Sequence, residues 1–303
     1  MGGGHDHGSA GMRNRGTLVV ALCLGLSVVA VQLIGAFLAN SLALLADAAH
    51  MFTDVAGIAL AIVAISIAAR RTRPSRTFGL YRIEILATVA NGFLLLGVSA
   101  YILVEAVQRW SHPEPVQPGV MIVAALYGVA ANVASLLLLR RGSRESLAVK
   151  GAYLEVFSDA LGSFGVVVAG LVVLGTGFDR ADVIVSVVIA IFMVPRTLLL
   201  LRDAFGVLME NAPRGVDPEL IRTDLAALPG VRSVHDLHVW AITSGMPSLS
   251  AHIVVEPSCF GADDQARLLA ELQRTLHENF AVEHSTLQIE PPQHREGESA
   301  QHP

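Results

Sequence analysis

The chain has 303 residues, of which 53% are hydrophobic and only 16% are charged, and its mean hydropathy is +0.56. This composition excludes an ordinary soluble domain and indicates a protein with several membrane spans. The formal net charge of −5 and the lack of basic runs argue against a nucleic-acid partner. Cys23 and Cys259 have no neighbour at ligand or disulfide spacing, so thiolate metal sites and disulfides are not expected.

The chain begins with a polar, glycine-rich segment, and we expect residues 1–16 to form a disordered tail. Six apolar stretches follow, each close to the roughly 20 residues that cross a bilayer as a helix. They lie at 17–38, 43–69, 83–109, 118–140, 149–175 and 180–205. The first stretch is too long for the core of a cleavable signal peptide, so we expect it to remain as a span. Residues 17–205 are therefore predicted to form a membrane all-α six-helix bundle.

Positive charge is unevenly distributed over the connections between these spans. It is concentrated before the first span, between spans two and three, and between spans four and five, at Arg13, Arg15, Arg70, Arg71, Arg73, Arg76, Arg82, Arg140, Arg141, Arg144 and Lys150. The opposite side has only Arg109 and Arg180. By the positive-inside rule, both termini are predicted to be cytoplasmic.

Residues 206–291 have the composition and periodicity of a small soluble domain. Helical patterns cover Asp217–Leu228 and Ala262–Asn279. Alternation of apolar and polar residues predicts strands at Val231–Ile242, Ser248–Glu256 and His284–Glu290. The order αββαβ predicts an α+β sandwich with its helices on one face of the sheet. We expect residues 292–303 to form a disordered tail.

Two pairs of ionisable residues lie inside predicted spans two and five. His50 and Asp54 are four residues apart, and Glu155 and Asp159 repeat that spacing. An i, i+4 pair lies on one face of a helix, and ionisable groups at membrane depth mark partners or ion pathways. If the two faces meet, one imidazole and three carboxylates surround a single point. Asp47 lies one turn from His50 towards the membrane surface, where it would support the ligands or line the access route; the alternative is an exposed acid at the helix end.

Four such ligands can form a tetrahedral site, which zinc favours. Without a thiolate, copper(I) is disfavoured, whereas cobalt, nickel, manganese, iron and cadmium are compatible with three oxygens and one nitrogen. Metal binding requires ionised carboxylates and a neutral imidazole, so protons compete with the metal for the same atoms. Alternating exposure of such a site to the two sides of the membrane predicts a metal/proton antiporter.

Several motifs resemble those of one known family. Asn40–Asp54 resembles the signature of the cation diffusion facilitators, and Phe78–Glu84 and Gly151–Ser163 resemble two further motifs of that family. His235–Trp240 resembles the start of its cytoplasmic domain. The match covers almost the whole chain apart from the two tails, and it is most similar to the CzcD-like bacterial branch.

The resemblance implies a homodimeric metal/proton antiporter with six spans and a ferredoxin-like, metallochaperone-like cytoplasmic domain. It implies efflux of divalent metal, most often Zn²⁺, across the bacterial cytoplasmic (inner) membrane, with no enzymatic activity. The transport ligands of the family fall on His50, Asp54, Glu155 and Asp159. Zinc-transporting members commonly have histidine at the position of Glu155, so the extra carboxylate is expected to broaden selectivity towards Co²⁺ or Cd²⁺.

The resemblance also implies a second metal site in the cytoplasmic domain. His235 and His252 fall on ligand positions of that domain, Glu290 completes a plausible set, and His284 is a reserve candidate. The alternative is that these histidines are solvated residues on the polar face of a half-exposed strand. Bound metal would link the two domains of the dimer and shift the populations of the membrane conformations.

Two other functions are compatible with metal ligands in a membrane. A passive channel would need a continuous pore, and a deep four-ligand site would slow conduction. An intramembrane metalloenzyme would need an open coordination position and a general base, and no H-E-x-x-H motif occurs. Both alternatives are therefore disfavoured.

Overall fold

A computed structural model describes residues 15–68, 77–140, 147–243, 245–259 and 261–295. The chain divides into two compact units. The first unit combines Met1–Val63 with Ala90–Leu200, and the second combines Ala64–Val89 with Leu201–Pro303. Nearly all of the predicted N-terminal tail lies outside the described residues, as do most of the arginines used to predict the orientation.

The part of the chain that the structure describes contains six long helices, each of 22 to 30 residues. They are α1 (Arg15–Ala39), α2 (Leu42–Ala68), α3 (Arg82–Ser111), α4 (Pro118–Leu139), α5 (Leu147–Thr176) and α6 (Arg180–Leu208). All except α2 are long and apolar enough to cross a membrane over their described residues. Most side chains of α2 beyond Ala56 lie outside the described residues. The helical membrane region predicted from the sequence is confirmed.

Small residues fill the contacts among these helices. The main cluster joins α1, α2, α4 and α5 through Ala36, Ala39, Ala43, Ala124, Ala125 and Ala169. A Cβ atom added to Gly35 would lie 2.6 Å from the Cβ of Ala124, so α1 and α4 approach closely only because a glycine stands there. Membrane helices lack a hydrophobic drive to associate and depend on such close packing.

The start of α2, which determines where its polar residues lie, is fixed by a buried acid from α6. Asp182 accepts hydrogen bonds from the backbone N–H of Leu42 at 2.7 Å and of Ala43 at 3.2 Å. Ser41 donates to the same carboxylate at 2.6 Å. A carboxylate at a helix N-terminus satisfies otherwise unpaired donors and complements the helix dipole. Asp182 therefore anchors the helix that carries His50 and Asp54.

The C-terminal part of the second unit has the predicted αββαβ order. Helix α7 covers Pro218–Ala226, strands β1 and β2 cover Val231–Ala241 and Pro247–Val255, helix α8 covers Ala262–Phe280, and strand β3 covers His284–Glu290. Asp217 caps α7 by accepting from the Glu219 N–H, directly before Pro218. Ser244, between the first two predicted strands, lies outside the described residues.

The three strands form one sheet in the order β1-β2-β3. Strand β2 is antiparallel to β1 and parallel to β3. One face packs against α7 and α8 in a core of Ile221, Leu225, Leu249, Ile253, Leu268, Leu272 and Leu276. Because side chains alternate between the faces of a strand, His252 lies on the face opposite to Ile253. The small α+β domain predicted from the sequence is confirmed.

The predicted C-terminal tail differs from the structure at its start. Residues Pro292–Arg295 form a single helical turn, α9, whereas the sequence predicted disorder from residue 292. Proline is compatible with the first position of a helix, and the turn places His294 3.9 Å from Glu290 and 3.5 Å from Gln288. Residues 296–303 lie outside the described residues.

Candidate metal-transport site

Helices α2 and α5 bring three of the predicted ligands to one point. The His50 Nε2 atom lies 3.6 Å from the Asp159 Oδ1 atom, and His50 Nδ1 lies 3.6 Å from Asp54 Oδ2. Ligand atoms of the three residues all lie within 4.8 Å of one another. The i, i+4 pair of α2 therefore faces α5.

The polar atoms at this point are buried and lack ordinary hydrogen bonds. His50 Nδ1, Asp54 Oδ2 and Asp159 Oδ1 have no hydrogen-bond partner among the described residues. The Asp159 side chain is only 4% exposed. Buried polar groups are nearly always satisfied, so unsatisfied carboxylate and imidazole atoms that converge are typical of a site built for a cation.

Glu155, the fourth predicted ligand, lies beside Asp54 but is not among the three residues whose ligand atoms all converge. Its carboxylate forms an ion pair with the Arg196 guanidinium of α6. The same guanidinium Nη2 lies 3.7 Å from Asp54 Oδ1. The sequence expectation of four converging ligands is thus met for three residues, and the fourth is held by an arginine from a third helix.

Arg196 was not predicted from the sequence. The signal was present, because an arginine inside a predicted apolar span is a functional candidate by default, and this one directly follows Pro195. The spacing within one helix could not reveal it, since its partners belong to α2 and α5. Only the packing of α6 identifies those partners.

Asp47 lies in a buried polar network rather than at an exposed helix end. It is 1% exposed and accepts hydrogen bonds from Gln32 Nε2 and Ser163 Oγ, each at 2.6 Å. A Cβ atom added to Gly162 would lie 2.9 Å from Asp47 Oδ1. The network joins α1, α2 and α5 within a turn of His50, and this burial rules out the alternative of a solvated acid.

A second cluster of possible ligands lies on the sheet face opposite to the helices. His235 and His252 are direct cross-strand partners, and their ring centroids are 5.1 Å apart. His235 Nε2 lies 2.8 Å from Glu290 Oε1, and His252 Nδ1 lies 3.4 Å from Glu290 Oε2. All three residues offer ligand atoms within 4.8 Å of one another.

The surroundings of this cluster differ from the sequence expectation in two respects. Asp236 has a left-handed backbone, with φ of 47°, at an irregularity of β1, and its carboxylate lies 3.8 Å from His252 Nε2 and 3.0 Å from His238 Nε2. The reserve candidate His284 is not in the cluster, because its ring packs edge-on against Phe78 at 6.5 Å.

Comparison with known proteins identifies both parts of the chain. Residues 18–209 match the cation efflux transmembrane domain, and residues 213–292 match the cation efflux protein cytoplasmic domain. The isolated metal-bound C-terminal domain of the CzcD transporter from Cupriavidus metallidurans is 39% identical and covers 25% of this chain and 99% of its own, with a TM-score of 0.23.

Full-length relatives agree with this assignment. The metal cation efflux system protein CzcD of Cupriavidus metallidurans is 41% identical over 302 residues, covering 100% of this chain and 94% of that protein. The cadmium, cobalt and zinc/H(+)-K(+) antiporter of Bacillus subtilis is 34% identical, and the zinc transporter ZitB of Escherichia coli is 36% identical; each match covers 96% of this chain and 93% of the relative. The chain therefore belongs to the cation efflux family, the cation diffusion facilitators, as a CzcD-like membrane transporter rather than an enzyme.

Proposed function

We propose that this protein exports divalent metal cations from the cytoplasm in exchange for protons, with Zn²⁺ as the main substrate and Co²⁺ and Cd²⁺ as further substrates. The observation that carries the proposal is the convergence of buried His50, Asp54 and Asp159 atoms without hydrogen-bond partners between two long apolar helices. Nitrogen and oxygen ligands without thiolate suit these metals.

Proton exchange follows from the chemistry of the same atoms. A carboxylate buried in a membrane helix requires a neutralising partner, and either a dication or protons can supply it. Because the two cannot occupy the same atoms together, a site exposed in turn to each side exchanges one for the other. The name of the Bacillus subtilis relative, which includes H(+), supports this coupling.

The same proposal includes the arrangement in the membrane. The excess of arginine on one side of the predicted spans supports cytoplasmic termini, and the bacterial relatives support the cytoplasmic (inner) membrane. We further propose a homodimer, in which His235, His252 and Glu290 bind a regulatory metal ion in each cytoplasmic domain. Their proximity on one sheet face supports this second site.

Transport by the purified protein in proteoliposomes tests the exchange. Zinc uptake should increase when the lumen is acidified relative to the outside, and a lumenal pH dye should report alkalinisation as zinc enters. Asp54→Asn should abolish both signals, whereas Asp203→Asn, which alters an acid paired with Arg214 in the other unit, should not. Zinc flux that ignores the pH gradient would favour a passive channel and overturn the antiporter.

A further inference from the structure

Arg196 supplies positive charge to two carboxylates, those of Asp54 and Glu155, that a bound metal ion would otherwise neutralise. Its guanidinium forms an ion pair with Glu155 and approaches Asp54 to 3.7 Å. Asp54 and Asp159 both contact His50. The arginine therefore lies at the border of the group that is proposed to bind the metal, and it holds the one predicted ligand that is missing from that group.

The backbone that carries Arg196 is locally weakened. Pro195, inside α6, has no N–H to donate to the preceding turn. Two residues further on, the Thr197 hydroxyl donates to the Met193 carbonyl at 2.9 Å. Prolines and back-bonding threonines are sites at which helices bend. A small bend of α6 here would move the guanidinium relative to Glu155.

Charge balance gives this arginine a specific role. With its carboxyl groups ionised and His50 neutral, the group formed by Asp54, Glu155, Asp159 and Arg196 carries two net negative charges, which one dication neutralises. Without the guanidinium, a third carboxylate would leave the loaded site negative and the metal more tightly held, because uncompensated charge in a poorly solvated site strengthens the attraction of a cation.

We propose that Arg196 is a positioning residue of the transport site, whose guanidinium holds Glu155 in the empty protein and competes with the incoming metal for that carboxylate. This inference rests on the proposed transport function and deepens it. Metal first meets His50, Asp54 and Asp159, and Glu155 joins when it leaves the guanidinium. The re-forming ion pair then withdraws Glu155 and promotes release.

The competition predicts opposite effects on affinity and turnover. In Arg196→Gln, Glu155 is free to bind metal, so the KM for Zn²⁺ should fall by about three- to tenfold, the range expected for breaking a partly exposed, charge-assisted ion pair. The kcat should fall as well, because the metal leaves more slowly. A merely structural role would lower kcat without tightening binding.

The experiment measures zinc transport by full-length Arg196→Gln and Arg196→Lys in proteoliposomes, each in the wild-type and Glu155→Gln backgrounds. In the Glu155→Gln background, Arg196→Gln should change KM much less, because no carboxylate is released. Arg196→Lys should lower KM only about twofold, since its single ammonium keeps the charge but lacks the planar fork. The matched control is Arg202→Gln, which alters an exposed residue six positions further along α6. Its KM and kcat should match those of the wild type.

The outcomes separate this inference from the proposed function. A KM that is unchanged or raised in Arg196→Gln, or that falls equally in both backgrounds, would overturn the role of Arg196 while leaving zinc transport intact. If Arg196→Gln does not reach the membrane, Arg196→Lys provides the test. A lower KM in that variant supports the role of Arg196, and an unchanged or higher KM overturns it. Absence of zinc transport by the wild type would instead refute the transport function itself.

Discussion

The side chains of the transport site divide between those that one helix can place and those that need several helices. His50 and Asp54 share a helix face by spacing alone, and Asp159 meets them from α5. Glu155 has the right spacing but a different partner, Arg196. At this scale, we expect the partner of Glu155 to influence which metals the site prefers.

Replacing Glu155 by histidine should narrow the selectivity of the protein towards zinc. A neutral imidazole does not attract the Arg196 guanidinium, so it is free to complete a tetrahedral set with two nitrogens and two carboxylates, which suits Zn²⁺. In a competition titration of purified Glu155→His, the preference for Zn²⁺ over Co²⁺ should rise at least about tenfold relative to the wild type. A ratio that stays constant, or that moves towards cobalt, would show that this position does not set selectivity.

Close contact between helices depends on individual small residues. The Asp47 carboxylate lies against Gly162 of α5, where a Cβ atom would approach its Oδ1 atom to 2.9 Å. Gln32 and Ser163 donate hydrogen bonds to that carboxylate. Moving it away from the added methyl group would break these bonds. The packing of α5 against α2, and with it the meeting of Asp159 and His50, therefore requires glycine at this position.

Gly162→Ala should destabilise the protein by about 1–3 kcal/mol, because overpacking forces buried groups apart, and it should also weaken transport. Gly175→Ala, on the same helix with open space around the added methyl group, is the matched control and should leave stability unchanged or raise it. Thermal unfolding of both purified variants in the same detergent measures the effect. Equal melting temperatures for the two variants would contradict the proposed close contact.

The helices and strands could be predicted from the sequence because apolar length and alternation are properties of each segment alone. The contacts between segments could not. The capping of α2 by Asp182 depends on the rotation of α6, as does the approach of Arg196 to Glu155. The irregularity of β1 at Asp236 depends on its register with β2. Pairing of β1 with β2 places His235 and His252 side by side.

At the scale of the whole chain, each of the two units contains one candidate metal cluster among its described residues. The first cluster consists of His50, Asp54 and Asp159, and the second consists of His235, His252 and Glu290. Because the two clusters share no residue, each should bind an ion of its own.

The full-length protein should bind two zinc ions per chain. The double variant His235→Ala, His252→Ala should bind one ion, at the membrane site that contains Asp159. Asp54→Asn should lose the ion at that membrane site and keep the one in the cytoplasmic domain. Equilibrium dialysis with elemental analysis of the purified variants measures these ratios. Unchanged stoichiometry in the double variant would show that the histidines of the sheet are solvated residues, without affecting the membrane site.

The most direct measurement is anomalous X-ray scattering at the zinc edge from crystals of the zinc-loaded, full-length protein. We expect a peak between α2 and α5, at about 2.0–2.2 Å from ligand atoms of His50, Asp54 and Asp159. A transport-active protein whose anomalous peaks all lie in the cytoplasmic domain, with none between these two helices, would contradict this expectation.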